Sequence, residues 1–135
     1  MPSRGVLPLI EVGAVHELWP NIVHLLERIA DEKLTVSDIY DLIIDGTWTL
    51  WVPDTGEITT VIVTEFIRYP QVCNLRVVIL SGGGEDWPYG MRVFEDFARI
   101  NKCHAIEILG RKGWERVLKD NGFKLNHITL SKRIL

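Results

Sequence analysis

The run Val77-Val78-Ile79-Leu80-Ser81-Gly82-Gly83-Gly84-Glu85-Asp86-Trp87-Pro88 constrains this chain more than any other stretch. A β-branched apolar segment enters three consecutive glycines. Asp86 then offers an N-cap, and Pro88 suits the first turn of a helix. The pattern predicts strand, glycine turn, helix. Such a turn aims backbone N–H groups at whatever sits on the helix N-terminus, usually an anion. Unbroken apolar character at residues 77–80 predicts burial on both faces, hence a central strand.

The remaining periodicities place this unit in one domain, residues 1–135, which is long enough for a real core. Residues 7–12 read as a short edge strand, because Pro8 is tolerable only at an edge. Val15, Leu18, Trp19, Ile22, Val23, Leu26 and Ile29 make one helical face. Pro20 is expected to divide that segment into a leading turn and a main helix near residues 20–31, since it lacks the N–H an interior turn needs. Thr35 and Asp38 form a capping-box pattern for a second helix, which Gly46 closes. After Gly46 the period switches to two. Trp48, Leu50 and Val52, a Pro53-Asp54-Thr55-Gly56 turn, and the β-rich run from Glu57 to Arg68 predict an antiparallel hairpin. A third strand follows at residues 72–80. Next come a helix near 88–101 with Met91, Val93, Phe94, Phe97, Ala98 and Ile100 apolar, a strand at 104–109, a helix at 111–121 and terminal β structure at 123–135. The order β-α-α-β-β-β-α-β-α-β implies an α/β fold: a mixed, mostly antiparallel central sheet flanked by helices.

Composition narrows the function classes. The net charge of −3 gives no global attraction to nucleic acid or to an anionic membrane. The basic residues of the C-terminal third, from Lys112 and Arg116 to Lys132 and Arg133, read as a solvated face. No apolar run nears the ~20 residues needed to span a membrane, and the N-terminus lacks a signal-peptide pattern. Cys73 and Cys103 have no metal-ligand spacing, nor do His104 and His127, so no metal is expected. Free thiols fit a reducing compartment. Ser81 lies near a strand-to-helix turn but outside any Gly-x-Ser-x-Gly pattern, which argues against a serine triad.

A second motif is Gly110-Arg111-Lys112-Gly113-Trp114-Glu115-Arg116-Val117-Leu118-Lys119-Asp120-Asn121-Gly122-Phe123. Gly122 can take the left-handed conformation that ends a helix, and Phe123 then enters the core. With the element order and the glycine turn, this resembles the GCN5-related N-acetyltransferase (GNAT) superfamily, from about residue 15 onward. The Gly-Arg-x-Gly-Trp opening resembles small GNAT-like proteins of tailed bacteriophages. The resemblance implies a GNAT-like sheet and transfer of acetyl from acetyl-CoA to an amine on a small molecule or protein. It implies cofactor contacts at Leu80, Ser81, Gly82, Gly83 and Gly84, with Arg111 near a phosphate.

The chain also departs from that pattern. Family members commonly carry Arg or Gln, two residues, then Gly-x-Gly or Gly-x-Ala after the central strand. Residues 81–86 supply the glycines without the basic or amide residue, and add Glu85 and Asp86. A carboxylate at ~5 Å from a phosphate charge, at an effective dielectric near 20, costs roughly 3 kcal/mol before screening. Leu118 stands where a Tyr commonly protonates the leaving thiolate, and Arg111 where an Asn commonly opens the helix. These departures support a second expectation: a catalytically inert GNAT-fold phage protein, partnered by virion proteins or by itself, in the host cytoplasm or the particle.

An acetyl transfer needs a base for the amine. Glu65, inside an apolar β run, and Glu107, between Ile106 and Ile108, are the candidates. Each is expected to have a raised pKa if buried in a cleft. The plainer alternative puts both on the solvent side of a pleated strand.

Overall fold

The computed structural model describes residues 12–52, 58, 60–82, 87–110 and 114–135. Helix α1 (Val12–Glu27) is continuous through Pro20, contrary to the division predicted there. Pro20 and His16 are both exposed, so water can satisfy the carbonyl that Pro20 leaves without a donor. Val15, Ile22, Leu25 and Leu26 carry one buried stripe past the proline, and that burial outweighs the lost hydrogen bond. Residues 7–11 of the expected first strand lie outside the described residues; Val12 is helical.

Helix α2 (Val36–Ile44) opens as expected. Thr35 Oγ1 accepts from Asp38 N–H, and Asp38 Oδ2 accepts from Thr35 N–H. It ends at Asp45, and Gly46 follows at φ +86°, a conformation glycine adopts without strain.

Strands β1 (Thr49–Trp51), β2 (Thr60–Arg68), β3 (Cys73–Gly82) and β4 (Ala105–Ile108) lie side by side in that order. The pairs β1–β2 and β2–β3 are antiparallel, and β3–β4 is parallel. The predicted hairpin and the third strand are therefore present. The turn at residues 53–56 lies outside the described residues. Helix α3 (Trp87–Ile100) makes the crossover that a parallel pair requires. Helix α4 (Trp114–Leu118) continues into a 3-10 turn (Lys119–Asn121), which Gly122 stops at φ +87°.

The sheet separates two apolar layers. On one face α1 and α2 pack on Leu50, Val52, Val61, Val63 and Ile79. On the other, Met91, Phe94 and Ala98 of α3 and Leu118 of α4 cover Trp51, Ile62, Leu75 and Val77. Ile100, counted on the apolar face of α3 by sequence, is 79% exposed because it falls off the 91–94–98 stripe. Residues 123–135 form no strand, contrary to the expected terminal β structure. They have no regular secondary structure and no ladder partner among the described residues.

The α2 cap gives a direct test. Thr35→Ala removes one half of the capping box and should lower stability in urea by about 1 kcal/mol. The hydrogen bonds with Thr35 hold the Asp38 carboxyl below its usual range, against a small opposing effect of burial. A depressed folded pKa stabilises above the unfolded value and is lost as pH falls through the folded one. Asp38→Ala, which removes the carboxylate itself, should therefore differ most from the parent protein at neutral pH, and that difference should shrink on acidification below the ordinary Asp value of 3.8.

Candidate functional site

The ladder between β3 and the edge strand β4 ends midway along β3. The parallel ladder matches Asn74 with Ala105 and ends at Val77 with Ile108, closed by the Leu109 N–H to the Val77 carbonyl at 3.0 Å. At the same level β3 is bulged. Val63 pairs with Ile79 and Thr64 with Val77, so Val78 is the extra residue. Val78 and Ile79 consequently both pack toward α1 and α2, whereas Val77 and Leu80 pack toward α3. A bulge bends its strand and increases the local twist. β4 stops at Ile108, while β3 runs on to Gly82. This ladder end is a fork in the pairing: from Val78 onward β3 keeps β2 as its neighbour and has no β4 partner among the described residues.

The candidate cofactor residues follow this stretch of β3 in different ways. Leu80 is half-buried against the α3 layer. Ser81 is 6% exposed, and its Oγ donates to the Leu25 carbonyl at 2.6 Å, so its side chain ties β3 to α1. Strand side chains stand perpendicular to the sheet, so these residues present backbone, not side chains, at the fork. Gly82 has φ +112°, which favours glycine at the end of β3. Gly83, Gly84, Glu85, Asp86 and Arg111 lie outside the described residues.

The candidate bases meet in one row across the sheet. Glu65 pairs with Arg76, and Arg76 with Glu107. This row lies one residue before the fork, on the α1–α2 face. Arg76 Nε and Nη2 donate to Glu107 Oε1 at 3.1 and 3.0 Å. Glu107 Oε2 accepts from Tyr69 Oη at 2.5 Å and from Asn74 Nδ2 at 2.7 Å. Glu65 Oε2 accepts from the Trp48 indole at 2.8 Å, while its Oε1 lies 3.7 Å from Arg76 Nη1, beyond hydrogen-bond range. Side chains of Glu65, Arg76 and Glu107 are 21–22% exposed. Neither carboxylate thus stands free on a solvent face.

The charge state of Glu107 differs from the expectation. Burial pushes its carboxyl up, but hydrogen bonds from Tyr69, Asn74 and Arg76, with the guanidinium charge, outweigh it and hold the pKa below the usual range. Burial likewise works against the Arg76 charge, and its bonds to Glu107 and Tyr69 prevail. Glu107 is therefore an engaged anion, with both oxygens occupied. Glu65 keeps one oxygen with unused acceptor capacity.

No protein-family model matches the sequence, and no curated protein matches it. Its structure does have close counterparts. A mutant of the BH1408 protein from Bacillus halodurans superposes with a TM-score of 0.71 at 12% identity, over 96% of this chain and 99% of that one. A ribosomal-protein-alanine N-acetyltransferase from Brucella melitensis biovar Abortus gives 0.71 at 10% identity, over 96% and 99%. Glucosamine-6-phosphate N-acetyltransferase from Arabidopsis thaliana gives 0.66 at 11% identity, over 98% and 99%. The chain has the GNAT fold. Identities this low establish architecture alone.

Within this GNAT fold Leu118 is 5% exposed and belongs to the α3–α4 core. An aliphatic side chain buried there donates no proton. Arg76, Trp48, Tyr69 and Asn74 were not singled out by sequence, although the register could have found Arg76. The Tyr69 N–H bonds the Val72 carbonyl at 2.8 Å, and counting outward from that turn sets Glu65 opposite Arg76.

Arg76→Gln should leave two half-buried carboxylates without their shared cation. Stability at pH 7 should fall by about 1–3 kcal/mol. The Glu107 pKa, followed by carboxyl NMR, should rise. Because the folded pKa of Glu107 is depressed, its stabilisation exists above the ordinary Glu value of 4.5 and disappears as pH falls through the folded one. The gap between Arg76→Gln and the parent protein should narrow in that acid window.

Proposed function

We propose that the protein is a GNAT-like N-acetyltransferase that uses acetyl-CoA and an amine acceptor. The observation carrying this reading is the fork: a parallel ladder that ends at Val77 and Ile108 beside a bulge at Val78, with β3 continuing to Gly82 paired to β2 alone among the described residues, and two more glycines next in sequence. A slot edged by strand backbone suits an amide-bearing chain such as pantetheine, and a glycine turn suits its phosphates. Leu80, Ser81 and Gly82 would hold the cofactor through main-chain groups, with Gly83, Gly84 and Arg111 nearer the phosphates. When bound, acetyl-CoA supplies the activated acetyl thioester.

The chain's own residues would then handle the acceptor. An ammonium cannot attack a carbonyl until it loses a proton. Glu65 Oε1, the carboxylate oxygen of the row with spare capacity, accepts that proton directly or through water. Glu107 and Arg76 hold Glu65 and the acceptor end of the site in place. The row carries two carboxylates and one guanidinium, so it favours a cationic acceptor.

A second reading keeps the fold without the chemistry: a GNAT-fold component bound to other proteins of a phage particle. The burial of Leu118 and the Ser81–Leu25 bond favour it, since each spends a catalytic or cofactor position on packing.

Calorimetric titration with acetyl-CoA separates the two. Saturation at micromolar ligand with a rise in Tm is expected for the enzyme, and no response at millimolar ligand would sink that reading. Given binding, Glu65→Gln should lower kcat by roughly 100-fold or more for a general base, while leaving acetyl-CoA affinity unchanged.

A further inference from the structure

The end of α3 fixes the place of Cys103. The helix closes in a Schellman motif: Cys103 N–H bonds the Ala98 carbonyl at 2.8 Å, and Lys102 N–H bonds the Arg99 carbonyl at 3.1 Å. Lys102 takes the left-handed conformation of that motif, at φ +57°, where glycine is usual. Cys103 packs against the layer of Met91, Phe94 and Ala98. The next amide, His104 N–H, bonds the Cys73 carbonyl at 2.8 Å, one step before the ladder begins at Asn74 and Ala105.

Cys73 reaches the same layer from β3. Side chains two apart along a strand share a face, and Leu75 and Val77 pack toward α3. The two cysteines thus flank one interstrand hydrogen bond. Adjacent strands lie about 4.8 Å apart, inside the roughly 4.4–6.8 Å between Cα atoms that a disulfide spans. Burial and then the neighbouring Cys73 thiol push the Cys103 thiol up, while Arg68, the register partner of Cys73, pulls it down. The two thiols therefore sense each other. Both are free and half-buried, so a small reagent can reach them. They are the chain's two cysteines, and neither belongs to the fork or to the charged row.

We propose that Cys73 and Cys103 form a reversible redox site, at which an external disulfide such as oxidised glutathione converts the two thiols into one intramolecular disulfide. One cysteine thiolate attacks a sulfur of the reagent, which gives a mixed disulfide and releases one reagent thiolate. The second cysteine gives up its proton, attacks the protein sulfur of that mixed disulfide and releases the other reagent thiolate. The protein loses two electrons and two protons, and the reagent leaves as two thiols. The bridge closes residues 73–103 into a loop. It restricts the unfolded chain, because the native backbone already holds both ends in place. It lies at the end of the β3–β4 ladder opposite the fork, so it staples the crossover through α3 without entering the proposed cofactor slot.

Incubation of the reduced full chain with oxidised glutathione, then non-reducing digestion and mass spectrometry, tests this. A peptide linked through Cys73 and Cys103 is expected, from a single chain about 2 Da lighter than the reduced 15.5 kDa protein. The oxidised protein should melt roughly 10 °C above the reduced one, and dithiothreitol should reverse both changes. Cys103→Ser should instead keep a stable glutathione adduct on Cys73 and show no such rise in Tm. Glutathione adducts on both cysteines of the parent protein, chains linked to one another, or unreacted thiols would each overturn the proposal. So would a bridge that leaves Tm unchanged or lowers it, because it would show that the native backbone must distort to accept the bond. These readouts on the parent protein decide the matter whether or not Cys103→Ser folds.

Discussion

A four-residue parallel ladder between β3 and β4 is the constraint on which the rest of the structure depends. Parallel strands cannot be joined by a tight turn, so the ladder demands a crossover, and α3 provides it. The crossover covers one face of the sheet and leaves the other to α1 and α2. The ladder is also short. It ends at the level where Val78 is squeezed out of the β2–β3 register, and a bulge bends the strand that carries it. The fork is the geometric consequence of a ladder that cannot continue.

Trp51 locks the level at which this happens. It is fully buried and meets Phe94 and Phe97 edge-on, at centroid separations of 4.9 and 5.0 Å. Its indole N–H donates to Thr64 Oγ1 at 2.9 Å, so the ring's one polar atom is satisfied inside the core. Thr64 is the residue at which the register shifts. Aromatic packing from α3 and the hydrogen bond within the hairpin thus converge on the position of the bulge. On the opposite face, the Ser81 bond to Leu25 fixes the far end of β3 to α1. β3 is held on both sides of the fork and can keep its course without β4.

The charged row illustrates how one environment separates two similar residues. Glu65 and Glu107 are equally exposed and share Arg76. Glu107 faces donors from Tyr69, Asn74 and Arg76, whereas Glu65 receives one close bond, from Trp48. Saturated hydrogen bonding stabilises the anion and makes it a poor base. Spare capacity on the other carboxylate is what permits a proton-accepting role. The flanking residues, Thr64 and Phe66 for Glu65 and Ile106 and Ile108 for Glu107, do not encode this difference.

Local chemistry was legible in the sequence. The Thr35–Asp38 cap, the stop at Gly122, the hairpin and the central apolar strand each rest on interactions spanning a few residues, and each was readable from spacing. Even Glu65 and Glu107 could be selected as unusual carboxylates, although their partners, Arg76 apart, could not. Tertiary structure decided the rest. Pro20 stays inside α1 because a buried stripe overrides a local penalty. The bulge at Val78 arises from competition between β2, β4 and two packing layers, and residue pattern along β3 does not record that competition. Residues 123–135 have a strand's loose alternation yet no ladder partner among the described residues, since a strand exists only where an edge is within reach. By itself the sequence determined the capped helix, the helix stop at Gly122 and the hairpin strands, because those depend on near neighbours. Only the tertiary structure decided where two strands part and which carboxylate keeps a free oxygen, because those depend on contacts between residues far apart in the chain.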